Sequence, residues 1–289
     1  MALSQSALLC LGLLTSMFLI DPTTILELCL LGVSIGFIAG LLGIGGGMLM
    51  VPFLMYFLGQ LGTPADIALK MAIATAMSTI VFTSISSVRA HHKKQAVRWD
   101  LVKGLAPGIV LGSLISSAGV FSIFKGTTLA YFFAAFVFFS ATQLFINKKP
   151  KPSRQVPDTP GMVLAGSTIG FMSGLVGAGG GFISVPFMVW CNVNIRNAVA
   201  TSAALGFPIA LANAFGYVAS GWSIEGRPLG SIGFIWIPGM VLIAMCSVLT
   251  APLGVKVAHT LPIKQLSRIF AVVLYGLSIY MFYQTITQS

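Results

Sequence analysis

Nine apolar runs, most of them long enough to cross a bilayer, fill this chain and leave only short polar gaps between them. They fall at 4–20, 25–58, 71–88, 102–124 and 128–146, then at 161–190, 198–220, 230–255 and 266–286. A helix needs about 20 apolar residues to span the hydrocarbon core, and no gap here is wide enough to hold a soluble catalytic domain. Only 8% of the 289 residues are charged, against about 25% in a soluble domain. The 16 Lys+Arg outnumber the 6 Asp+Glu, and the positives sit in the gaps. That placement marks membrane topology and not a nucleic-acid surface. The expected fold class is an all-α polytopic membrane protein with the lipid bilayer as its partner.

The first residues lack the basic start of a cleaved signal peptide, and Leu8-Leu9-Cys10 lacks the small residue that precedes a lipoprotein cysteine. Residues 1–24 therefore read as an N-terminal transmembrane helix. Cys10, Cys29, Cys191 and Cys246 are scattered without paired spacing, which indicates neither a disulfide framework nor a metal site, only small packing residues.

The chain is internally duplicated. Gly32–Leu54 reads GVSIGFIAGLLGIGGGMLMVPFL and Gly166–Met188 reads GSTIGFMSGLVGAGGGFISVPFM, identical at 13 of 23 positions. Each copy is followed by a cation and a matching stretch, Lys70-Met-Ala-Ile-Ala-Thr75 and Arg196-Asn-Ala-Val-Ala-Thr201. Further on, Pro107-Gly108 pairs with Pro238-Gly239. The division is a first transmembrane repeat (25–146), a basic linker rich in proline (147–160) and a second transmembrane repeat (161–289).

Two runs, 25–58 and 161–190, are too long for one ordinary span, and each contains a glycine cluster that breaks the helix. Charge decides between crossing and turning back. If 161–190 crosses, ten Lys/Arg lie on one side and six on the other; if it is a re-entrant hairpin, the split is thirteen to three. The second arrangement predicts seven full spans plus two re-entrant hairpins, two inverted repeats, and a cytoplasmic N-terminus and linker.

The doubled GxxxG rows, Gly32/Gly36/Gly40 and Gly166/Gly170/Gly174, are accounted for by close helix packing. The breaks at Gly43, Gly45, Gly46 and Gly47 and at Gly177, Gly179, Gly180 and Gly181 carry more information. Unwound backbone is tolerated at membrane depth only where protein or water satisfies it. Broken helices of inverted-repeat transporters meet near the midplane, with half-helix N-termini facing anionic groups. A nucleotide-binding fingerprint fails, because Met48 and Phe182 occupy the place of its last glycine and no strand precedes either copy. Structural hairpin turns remain the plain alternative. Thr75, Ser78 and Thr79 in one half and Thr201 and Ser202 in the other add hydroxyls near the breaks, although such groups commonly bond their own helix. Lys70 and Arg196 stand at the mouths of the hairpins, to attract an anion or to snorkel. Asn213 reads as an interhelical hydrogen bond. All six acids lie in loops or near segment ends, and His91, His92 and His259 lie in basic loops without metal-ligand spacing. No cofactor, metal site or nucleophile–base pair is indicated, which leaves a path for a small anion and no enzyme.

The residues GLLGIGGGMLMVPFL and GLVGAGGGFISVPFM, each followed by a cation and ATAMS or ATSAA, resemble the TauE/SafE family of sulfite and organosulfonate exporters. HHKKQAVRWDL and APLGVKVAHTLPIKQLSRIF are similar to that family's later segments, so the resemblance covers about residues 25–286. It implies a bacterial inner-membrane permease for a small sulfur-containing anion such as sulfite, thiosulfate or an organosulfonate, or for a short carboxylate. It also implies a substrate path at Gly43, Gly45–Gly47, Gly177, Gly179–Gly181, Thr75, Thr201 and Ser202. Ala76 and Met77 depart from it where a Thr-Ser pair is expected. An anion channel through the same path is the alternative mechanism.

Overall fold

A computed structural model describes residues 21–43, 45–146, 154–258 and 263–288. The expected helix at 4–20, Cys10, the first half of the 147–160 linker (147–153) and His259 lie outside the described residues. The helices are α1 (Pro22–Leu42), α2 (Gly47–Gln60), α3 (Ala65–Lys93) and α4 (Trp99–Leu114), the last continuing as a π-helical segment, Ile115–Val120. They continue as α5 (Gly126–Ile146), α6 (Thr159–Val176), α7 (Gly181–Trp190), α8 (Ile195–Ser220), α9 (Ile237–Ala258) and α10 (Ile263–Gln288). A two-stranded hairpin, β1 (Ser231–Ile232) and β2 (Ile235–Trp236), precedes α9.

Eight helices among the described residues are long and apolar enough to cross a membrane, where the charge argument expects six full spans in the same stretch. The difference is α1 and α6, the upstream arms of the glycine-broken runs, whose 21 and 18 residues have the length to cross by themselves. In α3 and α8, 72% of the apolar window is buried, against at most 44% in the other six, so these two form the centre of the bundle. Neither has an amphipathic stripe to solvate, since neighbours cover them on nearly all sides.

The glycine rows set the packing. Gly32, Gly36 and Gly40 of α1 lie against Ile243, Ser247 and Ala251 of α9, and a Cβ on any of them would come within 3.0 Å of a backbone carbonyl oxygen. Gly166 and Gly170 of α6 lie in the same way against Leu105 and Ile109 of α4. Residue numbers rise together along both contacts, so α1 runs parallel to α9 and α6 runs parallel to α4. Each glycine row thus packs on a helix from the other half of the chain. This register matches Leu105 with Ile243 and Ile109 with Ser247, and it corrects the pairing of Pro107-Gly108 with Pro238-Gly239. Pro238 stands in the first turn of α9, where proline fits without losing a hydrogen bond, whereas Pro107 is inside α4. The correction is seven residues, two helical turns, so both registers present the same face.

The central helices α3 and α8 run antiparallel. Asn197 Nδ2 donates to Ala96 O just past the end of α3 (3.1 Å), Gly206 faces Ile80 and Ser84, and Phe234, paired with Tyr217, lies under Lys70 near the start of α3. The chain at Arg154 lies beside Trp190, with Arg154 N donating to Trp190 O (3.3 Å) and the guanidinium over the indole (4.5 Å), so the end of α7 lies beside the segment that leads into α6. Arg98, Arg154 and Arg196 gather at this end; Asp66, Lys125 and Arg227 lie at the other, where Gly126 touches Asp66 and Gly226 touches Pro64. Cys29 and Cys246, unrelated by sequence spacing, meet as free thiols across the α1–α9 contact.

Candidate functional site

Both glycine clusters end one helix and start another by the same device. Gly43 and Gly177 close α1 and α6 in the left-handed conformation, their N–H groups donating to Ala39 O and Ser173 O. Gly46 and Gly180, also left-handed, begin α2 and α7 without a side-chain cap. Only glycine takes these angles without strain, and the uncapped N-termini keep their partial positive charge.

The two breaks meet in the middle of the bundle. A Cβ on Gly45 would stand 2.9 Å from Gly179 Cα, and one on Gly47 under 3.0 Å from Gly177 O. The flanks contact reciprocally: Gly43 lies on Val199 of α8 and Gly177 on Ile73 of α3. Ser202 ties the junction, its Oγ donating to Gly43 O (3.1 Å) and accepting from Ser184 Oγ (2.8 Å).

Beside the junction, on the side of the Arg98–Arg196 end, is a cleft with about 260 Å³ of empty space, open solvent included. Gly43, Gly45 and Gly179 form its floor, and Thr83, Ser84, Ser87 and Ser202 supply its polar wall. Thr83 Oγ1 shares a hydrogen bond with Ser247 Oγ (2.6 Å) and Ser84 Oγ donates to Val81 O (3.0 Å). Ser87 Oγ, buried, has no partner among the described residues. Among the described residues no lysine or arginine lines the cleft, so it offers an anion neutral hydroxyl and backbone donors, with the N-termini of α2 and α7 close by.

Of the residues singled out in the sequence, Gly43, Gly45, Gly179 and Ser202 line this cleft, while Gly46, Gly47, Gly177, Gly180 and Gly181 form the turns and helix starts around it. Thr75 Oγ1 accepts from Trp236 N and Thr201 Oγ1 from Arg98 N, both at 3.0 Å, so these hydroxyls satisfy the backbone just ahead of α9 and α4. Ser78 and Thr79 donate to Ala74 O and Thr75 O on their own helix. Lys70 is buried, with Nζ 5.9 and 5.7 Å from the ring centres of Phe121 and Phe234, whereas Arg196 is exposed at the start of α8. Asn213 makes no interhelical bond through its Nδ2, which donates to Ile209 O of its own helix (2.8 Å). Thr83, Ser84 and Ser87 went unnoticed in the sequence. Their signal is the hydroxyl row in the second half of α3, at the i, i+1, i+4 spacing of one helical face.

The sequence model of the family described as "Sulfite exporter TauE/SafE" matches residues 28–281. A "Probable membrane transporter protein" of Haemophilus influenzae is 35% identical over 261 residues, covering 90% of this chain and 98% of that protein. "Probable membrane transporter protein MJ0441" of Methanocaldococcus jannaschii is 26% identical over 264 residues, 88% of this chain and 94% of its own length. "Probable membrane transporter protein YunE" of Bacillus subtilis is 27% identical over 218 residues, 67% of this chain and 78% of its own length. No solved structure matches the chain.

Proposed function

Because the chain belongs to the sulfite exporter TauE/SafE family and is a multi-pass membrane transporter, we propose that it carries a small sulfur-containing anion, sulfite or an organosulfonate, across the bacterial inner membrane by alternating access. The observation that carries this reading is the junction of two helix breaks, with uncapped helix N-termini, beside a hydroxyl-lined cleft. The chemistry of such a site suits a small oxyanion: backbone N–H groups and hydroxyls are available as donors, and the dipoles of α2 and α7 favour negative charge nearby. The antiparallel course of α3 and α8, and the end of α7 lying beside the segment that leads into α6, support inverted repeats with re-entrant glycine hairpins. The gathering of Arg98, Arg154 and Arg196 at one end supports a cytoplasmic assignment for that end.

Purified protein is expected to unfold at a higher temperature with sulfite, thiosulfate, taurine or sulfoacetate than with chloride at equal ionic strength. A ligand at 100 times its dissociation constant stabilises the native state by about 2.7 kcal/mol. Equal melting with every anion, acetate and lactate included, overturns the reading; a shift with the carboxylates alone moves the substrate class. Saturable counterflow in proteoliposomes separates a carrier from a channel.

Gly206→Ala tests the cleft itself. A Cβ there meets only Ser84 Cβ at 3.6 Å, Gly179 O at 3.8 Å and Ile80 Cγ2 at 4.0 Å, ordinary contacts. Alanine in a helix interior gains about 1 kcal/mol over glycine, so the variant should melt higher than wild type while its affinity for the stabilising anion falls about tenfold. Unchanged affinity would remove this wall of the cleft from the path.

A further inference from the structure

The π-helical segment Ile115–Val120 has no part in the cleft. A π-turn puts carbonyls out of α-helical register and occurs frequently at functional sites. Here Ser116 Oγ and Ser117 Oγ both donate to Ser113 O (3.2 and 2.6 Å), and all three serines are buried. They face α6 and α8. Ser116 Oγ and Asn213 Oδ1 both lie within 3.0 Å of the point where a Cβ on Gly174 would stand, and Ser113 Oγ lies 2.9 Å from the same point on Gly170. Ser113 Oγ, Ser173 Oγ and Asn213 Oδ1 are at most 2% exposed and have no hydrogen-bond partner among the described residues. An unpaired buried polar atom costs about 1–3 kcal/mol, so three in one neighbourhood mark a place built for something other than packing.

The duplication connects this cluster to the cleft. Asn213 follows Thr201 by the same interval as Ser87 follows Thr75, and Ser173 stands in α6 where Ala39 of the cleft stands in α1. Ser87 and Asn213 are thus matched positions, each a buried side chain with an unpartnered oxygen, one on either side of the glycine junction. The cleft reaches towards the Arg98–Arg196 end. The cluster lies towards the opposite end and is roofed by Phe121, Tyr217 and Phe234, with ring centres 4.7 Å (Phe121–Tyr217) and 5.6 Å (Phe121–Phe234) apart. Tyr217 Oη donates to Gly174 O, latching that roof to α6.

We propose that this serine–asparagine cluster is the second half of the translocation path, shut in this conformation: a hydroxyl- and amide-lined station for the same small oxyanion, which opens under the Phe121–Tyr217–Phe234 roof as the cleft closes. The inference rests on the alternating-access reading above. Two matched polar sites related by the repeats then exchange accessibility, and the π-turn is the point where α4 gives way.

The test is thiol labelling in a background with Cys10, Cys29, Cys191 and Cys246 replaced by serine or alanine. Detergent-purified protein exposes both ends to the reagent, the small anion 2-sulfonatoethyl methanethiosulfonate. Ser87→Cys is expected to react at least tenfold faster than Ser116→Cys. Unlatching the roof with Tyr217→Phe should raise the Ser116→Cys rate at least tenfold and slow Ser87→Cys in the same protein. A Ser116→Cys rate that does not respond to Tyr217→Phe overturns the proposal, and so does a rise with no change at Ser87→Cys, which is local loosening without exchange. If these variants fail to fold, hydrogen exchange on the wild type decides. Amides at 113–120 exchange at least tenfold faster than those at 103–110 if the segment opens, and equally slowly if it is sealed core. Failure of the substrate reading shows separately, as the absence of any anion-dependent thermal shift.

Discussion

Gly47→Ala is expected to abolish counterflow and to lower the melting temperature, although alanine is the better helix former. The added Cβ would stand under 3.0 Å from the carbonyl oxygen of Gly177, and behind it is Ile80 Cδ1 at 3.0 Å. An oxygen of the opposing break is backbone, and backbone cannot rotate aside as a side-chain tip can. Overpacking of this kind costs about 1–3 kcal/mol, and with both neighbours held by helices the upper end applies. The displacement falls on the junction of the two breaks, so activity should fall further than stability. Gly276→Ala on α10 is the control: nothing lies within 4 Å of its Cβ, and it should gain up to about 1 kcal/mol. Gly47→Ala protein with wild-type melting and wild-type counterflow would show that the breaks do not approach each other as described.

Along the parallel α4–α6 contact, three substitutions should separate in a fixed order. Gly108→Ala and Gly112→Ala each drive a Cβ under 3.0 Å from a backbone oxygen, of Val163 and Ser167 respectively. Gly104→Ala meets only the thioether end of Met162, which has rotamers to spare. Gly104→Ala should therefore leave a monodisperse protein, whereas the pair Gly108→Ala/Gly112→Ala should prise the helices apart and yield aggregated or degraded chain. In a membrane, helices are held together by packing and not by exclusion of water, so separating two backbones forfeits most of the attraction between them. Size-exclusion chromatography after detergent extraction reads the outcome. Equal behaviour of all three would mean that α4 and α6 are not in backbone contact.

Much of the architecture was legible in the residues because bilayer physics leaves few choices. Apolar run length calls for helices, glycine clusters for breaks and GxxxG rows for close packing, and the structure has helices, breaks and close backbone contacts at those places. The candidate site was less legible. Thr75 and Thr201 look like path residues, yet their hydroxyls accept backbone N–H groups ahead of α9 and α4, partners more than 100 positions away. Lys70 and Arg196 are matched in the sequence and differ in space, because the aromatic rings of Phe121 and Phe234 enclose only Lys70.

By itself the sequence determined that this chain is a helical membrane protein carrying two copies of one glycine motif, each of which breaks a helix. Those properties are local: they follow from hydropathy over about 20 residues and from the backbone freedom of single positions. Only the tertiary structure decided which helix each glycine row packs against, that the registers of α4 and α9 differ by two turns from the proline match, and that Thr83, Ser84 and Ser87 wall the cleft. A glycine row announces close packing but carries no side chain to specify its partner. A hydroxyl on an apolar helix satisfies itself or a neighbour with equal ease, and which it does depends on helices that are distant in the chain.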